Sequence, residues 1–550
     1  MTQDSLTARA EAWLAEDPDG DTRAELRALI DSGDRQALAA RFSGLLQFGT
    51  AGLRGELGAG PARMNRAVVI RAAAGLAAYL KEHGEGGGLV VIGYDARYKS
   101  ADFARDTAAV MTGAGLRAAL LPGPLPTPVL AFAVQHMDAA AGVQVTASHN
   151  PPGDNGYKVY LGGGSQIVPP ADGEIAAHIE AVDRLADVAR PEAGWEVLDD
   201  SVLASYLART QAVLTPGSPR TARVVHTALH GVGTDTVLAA FARAGFPAPV
   251  PVPEQAEPDP AFPTVAFPNP EEPGAMDLSF ATARAVRPDV VIANDPDADR
   301  CAVAVPDASA PGGWRMLRGD EVGALLAAHL VGKGARGTFA ESIVSSSLLG
   351  RIAAAAGLPY EETLTGFKWI ARVPGLRYGY EEALGYCVDP DGVRDKDGIT
   401  AALLVAELVS ELKAEGRTLT DLLDELALAH GLHATDQLSA RVEDLSRIDA
   451  AMRRLRAPPP AELGGLRVTG AEDLAAGSGG LPPTDGLRYT LGGAHEARVI
   501  VRPSGTEPKI KCYLEAVIPV ADAAALPRAK RTAEDLLESL KRDLSAAAGL

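Results

Sequence analysis

Three aspartates stand at alternate positions in "NDPDADR": Asp295, Asp297 and Asp299. They follow the apolar run "DVVIA", which reads as a buried strand. Carboxylates packed this closely repel one another unless a cation neutralises them, and an all-oxygen donor set suits Mg²⁺ or Ca²⁺. A solvated acidic loop is the plain alternative. It is the reading taken for "DPDGD" at 17–21, which follows no strand, and for "DPDGVRDKDG" at 389–398. The central run is not an EF-hand, because Arg300 and Pro306 stand where Gly and Glu belong. It contains no His or Cys to favour zinc.

The second feature is "VTASHNPPGDNGYKVY". An apolar run, "AAAGVQV", stops at Thr146, and Ser148 is displayed where a buried strand meets solvent. No G-x-S-x-G elbow surrounds it, which removes the serine-hydrolase reading. A hydroxyl can also carry a transferable phosphoryl group, provided a metal and cations offset the charge. Lys158, ten residues on, suits that role as a cation or, with a depressed pKa, as a proton shuttle. His149 reads as a hydrogen-bonding wall of the loop ahead of a catalytic group. In "RPSGTEPKIK", Arg502, Ser504, Gly505 and Thr506 combine a fork of donors, two hydroxyls and an approachable backbone, which is what a phosphate needs. "ETLTGFKWI" and "YEEALGY" are weaker signals: Glu381 and Glu382 can accept from sugar hydroxyls or simply face water.

These residues need a scaffold. Amphipathic helices open the chain in "SLTARAEAWLAE", "DTRAELRALIDSG" and "DRQALAARFSGLLQF". From Gly88 short apolar strands alternate with helices: "LVVIGYDAR", a helix for which Ser100 is the expected cap, "LRAALL", "VLAFAVQHM" and the strand before Ser148. The same grammar returns in "ARVVHTALHGVGTDTVLAAFARAGF" and again after position 320. The Pro- or Gly-rich segments 215–220, 306–313 and 457–465 read as hinges, and "VPVPEQAEPDPAFPTVAFPNPEEPG" as an extended excursion. "LRYTL", "EARVIVRPSG" and "KIKCYLEAVI" alternate like antiparallel strands before a final helix, the pattern of an α+β domain.

The length of 550 residues exceeds one core, so roughly three or four domains are expected. With 47% hydrophobic and 22% charged residues the chain is ordinary and globular. A net charge of −19 disfavours nucleic acid and anionic membranes as partners. Cys301, Cys387 and Cys512 form no CxxC pair, which suits a reducing cytoplasm. No signal peptide or membrane span is legible, so a cytoplasmic location is expected.

Taken in order, "TASHNP", "DPDADR", "EEALG" and "RPSGTEP" resemble the phosphoserine, metal, sugar and phosphate loops of the phosphoglucomutase/phosphomannomutase (α-D-phosphohexomutase) family. The resemblance runs from "FGTAGLRG" at 48–55 to "CYLEA" at 512–516. It implies an α/β fold of four domains around a central cleft: three related α/β domains with mixed, mostly parallel sheets, then a C-terminal α+β domain. The expected division is 1–214, which carries the helical extension and the phosphoserine loop, then 215–316, 317–436 and 437–550. The implied catalytic set is Ser148, Lys158, Arg54 and His149. Ser148 would bear the phosphate and, with Asp295, Asp297 and Asp299, hold Mg²⁺. Arg300, Thr365, Gly366, Lys368, Glu381, Arg502, Ser504, Gly505 and Thr506 would bind substrate. Lys158 and Lys368 both remain open as the acid/base.

The implied reaction is a phosphosugar mutase passing through a phosphoserine and a sugar bisphosphate, such as glucose 1,6-bisphosphate, that also acts as activator. Phosphoglucomutase, interconverting glucose 1-phosphate and glucose 6-phosphate, is the main expectation, with phosphopentomutase or phosphomannomutase as alternatives. A Mg²⁺-dependent sugar-phosphate phosphatase using Asp295 as nucleophile is more distant, since such enzymes usually carry Thr or Val where Asp299 stands. The only partner implied is a small phosphosugar, and monomer and dimer remain open. One departure bears on the sugar. The resembled loop commonly reads Gly-Glu-x-Ser, whereas this chain has Tyr380-Glu381-Glu382-Ala383. The helical extension, "GTAGLRGELGAGPARMN" and "TGFKWI" are similar to a longer branch that includes phosphoglucomutases, phosphopentomutases and glucose-1,6-bisphosphate synthases.

Overall fold

The run "LVVIGY" forms the strand Leu89–Tyr94, with its first five residues buried. Both its faces are covered, as a parallel strand requires: Val90 and Ile92 share one core with residues of the helices Arg66–Glu82 and Ser100–Gly113. Each such aliphatic side chain contributes about 1.5–3 kcal/mol by leaving water. The computed structural model describes residues 3–441, 446–503 and 509–549. It divides into two units, Met1–Met316 with Gly385–Ser410, and Leu317–Leu384 with Glu411–Leu550.

In the first unit one sheet runs in the order Leu53–Glu56, Asp154–Leu161, Ala141–Val145, Leu89–Tyr94, Arg117–Leu120, Glu196–Val197. Its last four strands are parallel and its first three antiparallel to their neighbours. A second sheet runs Trp314–Met316, Ala302–Pro306, Val290–Ala293, Val224–Thr227, Val250–Pro251, again parallel at one side only. The second unit contains three parallel strands, Tyr360–Thr363, Thr338–Ser342 and Leu376–Glu381. It also holds an antiparallel sheet running from Leu432–Arg441 through Lys509–Ile518, Glu496–Pro503, Leu487–Gly492 and Leu466–Asp473 to Glu462–Leu463. The helix Leu526–Ala548 buries Leu536, Leu537, Leu540 and Leu544 in the core of that sheet. Mixed α/β sheets followed by an α+β region are the expected architecture.

Three local expectations are corrected. Ser100 does not cap its helix; its hydroxyl donates to Asp95 Oδ1 at 2.7 Å, and Lys99 holds the cap position with φ 65°. The acidic run at 17–21 is not simply solvated: Asp17 accepts the Thr22 hydroxyl at 2.7 Å, and Asp19 caps the helix Gly20–Ser32. The segment 215–220 is tethered, because the Thr215 N–H and the Ser218 hydroxyl donate to buried Glu407 at 2.6 and 2.5 Å. Among the described residues the three cysteines are free and buried, and no helix is long and apolar enough to cross a membrane.

Candidate functional site

Two buried strands of the first unit end at the same centre. Ala141–Val145 runs into Thr146, Ala147 and Ser148, all buried. Ser148 takes a left-handed φ of 52°, and its N–H donates to the Thr146 hydroxyl at 2.9 Å. That turn aims Ser148 Oγ at Asp295 Oδ2, to which it donates at 2.5 Å, with His149 Nδ1 at 3.2 Å. Val290–Ala293 runs into the acidic loop, whose three aspartates are all fully buried. The turn at Gly231 supports this loop: a Cβ there would lie 2.3 Å from Pro296 Cα.

Cations answer the acids. Lys158 lies on Asp154–Leu161, the antiparallel neighbour of the strand leading to Ser148. Its Nζ donates to Asp297 Oδ2 at 2.6 Å and Asp299 Oδ2 at 2.8 Å. Asp297 Oδ2 also accepts the Thr127 hydroxyl at 2.5 Å. Arg300 Nε lies 3.7 Å from Asp295 Oδ2 and 3.8 Å from Asp299 Oδ1. Arg54, on Leu53–Glu56, reaches the Asn150 side chain at 3.4 Å. Burial, then repulsion from Asp297 and Asp299, pushes the Asp295 carboxyl well above its ordinary range. Burial would raise Asp299 too, but Lys158, Lys396 and Arg300 hold it low. Burial pulls the Lys158 ammonium down, yet Asp297 and Asp299 more than offset this and leave its pKa raised. Of the two roles expected of Lys158, these contacts support that of a cation.

Lys396 was not singled out by sequence. The run 389–398 is not the solvated loop expected: Asp395, Lys396 and Asp397 are buried. Lys396 Nζ lies 3.3 Å from Asp299 Oδ2, and Asp395 Oδ2 accepts from the Tyr160 hydroxyl and Gln166, both at 2.7 Å. The signal available was a lysine between two acids immediately before the apolar run "ITAALLVAELV".

One oxygen from each of Asp295, Asp297 and Asp299 falls within 4.8 Å of the others. Asp297 Oδ1 and Asp299 Oδ1 are buried without a hydrogen-bond partner among the described residues. Orphaned carboxylate oxygens in a purely oxygen donor set fit a hard divalent cation.

In the second unit Thr365 and Gly366 follow the carboxyl end of Tyr360–Thr363, and Glu381 ends Leu376–Glu381. Both strands flank Thr338–Ser342 in parallel, so the three residues gather at one carboxyl edge, where open α/β sheets bind ligands. Glu381 is buried, not solvated. Gly366 has φ 112° and precedes the short helix Phe367–Ile370 that carries Lys368. Glu382 accepts the Ser342 hydroxyl at 3.1 Å. Burial first, and Glu381 beside it second, push the Glu382 carboxyl up to about 7. Arg502 sits opposite Lys511 in the antiparallel sheet. Ser504, Gly505 and Thr506 lie outside the described residues.

Four domain models of phosphoglucomutase/phosphomannomutase match the chain in order: α/β/α domain I at 45–186, II at 204–310, III at 318–429 and the C-terminal domain at 440–532. The chain belongs to the phosphoglucomutase/phosphomannomutase family. It is 50% identical to a "Probable phosphomannomutase" of Haemophilus influenzae, over 82% of this chain and 93% of that one. It is 35% identical to a phosphopentomutase of Homo sapiens, over 92% and 90% respectively. A crystal structure of a "putative phosphomannomutase" from Thermus thermophilus superposes with a TM-score of 0.71 at 28% identity, covering 92% of this chain and all of that one. As a phosphoglucomutase/phosphomannomutase family member it is a phosphosugar mutase, an isomerase that moves a phosphoryl group within its substrate.

Proposed function

We propose that this mutase carries its phosphoryl group on Ser148 and acts preferentially on a pentose phosphate, interconverting ribose 1-phosphate and ribose 5-phosphate. The observation that carries the chemistry is the Ser148 hydroxyl, hydrogen-bonded at 2.5 Å to an aspartate of a buried, cation-lined triad. The observation that favours a pentose is Ala383, which supplies no side-chain hydroxyl to a hexose where the resembled loop has serine. Phosphopentomutases and phosphoribomutases that align over 92% of the chain support it. The relatives described above are named for mannose and pentose phosphates, so the glucose reading gives way to the alternatives. A mannose phosphate is the second reading, favoured by the 50% identity to the Haemophilus influenzae protein.

In the proposed reaction the Oγ–P bond of phosphorylated Ser148 breaks as a hydroxyl of the sugar monophosphate forms its own bond to phosphorus. The sugar hydroxyl gives up its proton, Ser148 Oγ, released from phosphorus, takes one up to become a free hydroxyl again, and a bisphosphate results. The second half-reaction returns the other phosphate to Ser148. Asp295, Asp297 and Asp299, with an oxygen on Ser148, would hold Mg²⁺, which when bound offsets negative charge on the transferring group. Arg54, Arg300 and Lys396 add fixed positive charge around the triad, and Lys158 orients two of the aspartates. Thr365, Gly366, Lys368 and Glu381 are the candidate sugar contacts. Arg502, Ser504, Gly505 and Thr506 are the candidate contacts to the phosphate that stays. His149 holds the serine hydroxyl from the side.

The test compares kcat/KM for ribose 1-phosphate, mannose 1-phosphate and glucose 1-phosphate, with Mg²⁺ and the matching bisphosphate supplied. A preference for ribose of roughly tenfold or more, about 1.4 kcal/mol in transition-state binding, is the expected outcome. Preference for mannose transfers the assignment to the second reading, and preference for glucose overturns both.

A further inference from the structure

The proline-rich excursion at 250–274 has no part in the chemistry described so far, yet it delivers one side chain to the arginine that holds the serine loop. Its tip is held firmly: Gln255 Nε2 donates to the Thr264 hydroxyl at 3.0 Å, the Asp259 N–H donates to His230 O at 3.0 Å, and the Phe262 N–H donates to Asp259 O at 3.1 Å. Phe262 is buried, and its ring lies 4.9 Å from the Arg97 guanidinium carbon. Arg97 follows the strand Leu89–Tyr94 and is itself buried, in the run "YDAR".

The guanidinium grips the serine loop by its backbone. Nη2 donates to Ser148 O at 2.5 Å and to Asn150 O at 2.6 Å. Nη1 donates to Pro151 O at 2.8 Å and to Asp154 O at 3.2 Å. Asp95 Oδ2 lies 3.4 Å from Nε on the opposite edge. Four carbonyls of one loop thus converge on a single planar fork, a geometry a lysine ammonium cannot reproduce. The fork meets a conformational need. Ser148 stands in the left-handed region with φ 52°, which costs a non-glycine residue roughly 1–2 kcal/mol and persists only where the surroundings over-determine it. The bond to Ser148 O and the Thr146 hydroxyl on Ser148 N–H fix both peptide groups flanking that φ. With both fixed, the Cα–Cβ bond has one direction, and the rotamer adopted brings Oγ to Asp295.

We propose that Arg97 is a positioning residue for phosphoryl transfer, holding Ser148 in its left-handed turn, and that Phe262 of the excursion stacks on Arg97 to keep the fork in register. The proposal rests on Ser148 being the phosphate carrier. Arg97 touches no reacting atom, so its effect falls on the transfer rate and not on sugar affinity.

The experiment uses the full chain with Mg²⁺. Purified phosphoenzyme is mixed with saturating sugar monophosphate, and transfer is followed by intact mass alongside steady-state kcat and KM. Arg97→Lys is expected to slow single-turnover transfer and kcat by roughly 100-fold while KM stays within about twofold. Phe262→Leu, which keeps an apolar filler but removes the ring, is expected to slow both by roughly three- to tenfold. A wild-type transfer rate in Phe262→Leu, or a raised KM with intact kcat in either variant, overturns the proposal. If Arg97→Lys fails to fold, Phe262→Leu decides alone. Ser148→Ala runs beside them. Turnover in that variant removes the phosphoserine reading and the positioning role together, whereas a dead Ser148→Ala with wild-type transfer in Phe262→Leu removes the positioning role only.

Discussion

Lys396 and Lys158 divide the work of neutralising Asp299, at 3.3 and 2.8 Å. Replacing Lys396 with Met leaves the triad with one cation fewer, so two effects should separate. Divalent affinity should rise severalfold, because the acids lose a competitor for their charge, while kcat falls by roughly 10- to 100-fold for want of fixed positive charge at the transferring group. Mg²⁺ titration of Lys396→Met checks the first and steady-state rates the second; a weakened affinity would mean that Lys396 supports the metal set instead. Glu382 gives a pH prediction of opposite character. Its carboxyl, at about 7 in the folded protein, lies above the usual unfolded value of about 4.3. The folded chain therefore binds the proton more tightly, and stability falls as pH rises from about 4 to about 7 before levelling. Glu382→Gln should remove that slope, so its melting temperature should gain on wild type between pH 5 and pH 8. A constant difference across that window would show that Glu382 does not titrate there.

Turns between elements set the triad as much as the aspartates do. The acidic loop lies against the turn after Val224–Thr227, at a distance only Gly231 permits. Gly231→Ala should cost about 1–3 kcal/mol of stability, read by urea unfolding, and should weaken Mg²⁺ binding by displacing Pro296 and its flanking aspartates. Unchanged Mg²⁺ affinity would show the loop holds its shape without that turn. At the N-terminal extension, Asp19 accepts the Asp21 N–H at the start of Gly20–Ser32 and an ion pair from Lys99 at 3.0 Å. Asp19→Ala should cost about 1 kcal/mol, measured in the same way.

Across the whole molecule, ligand binding and stability are linked by mass action. The unit that contains Ser148 buries three neighbouring carboxylates, Asp295, Asp297 and Asp299, in a protein of net charge −19, so a divalent ion held by them would bind the folded form far better than the unfolded one. Mg²⁺ at a hundred times its Kd should add about 2.7 kcal/mol of stability, and a chelator should reverse it. Asp297→Asn should lose most of that thermal shift. An equal shift in Asp297→Asn would place the stabilising ion elsewhere.

How much of this was legible in the chain follows from the range over which each feature is determined. Buried strands such as Leu89–Tyr94 and Val290–Ala293 announce themselves by continuous apolar runs, because burial on both faces leaves no room for polar side chains. Ser148 and the three aspartates were legible because each motif sits within a few residues at a strand end. Lys396, Arg97 and Phe262 were not. Each reaches the centre across a long stretch of chain: the acids flanking the lysine in "RDKDG" do not say which distant charge it meets, and nothing local distinguishes a phenylalanine in "DPAFP" from a solvated one. The raised pKa of Lys158 was hidden for the same reason: it depends on two carboxylates about 140 residues away, at 2.6 and 2.8 Å. Residue types and local spacing determined which chemistry is present. Folding determined which charges meet, because electrostatics acts over ångströms in space and is blind to separation along the chain.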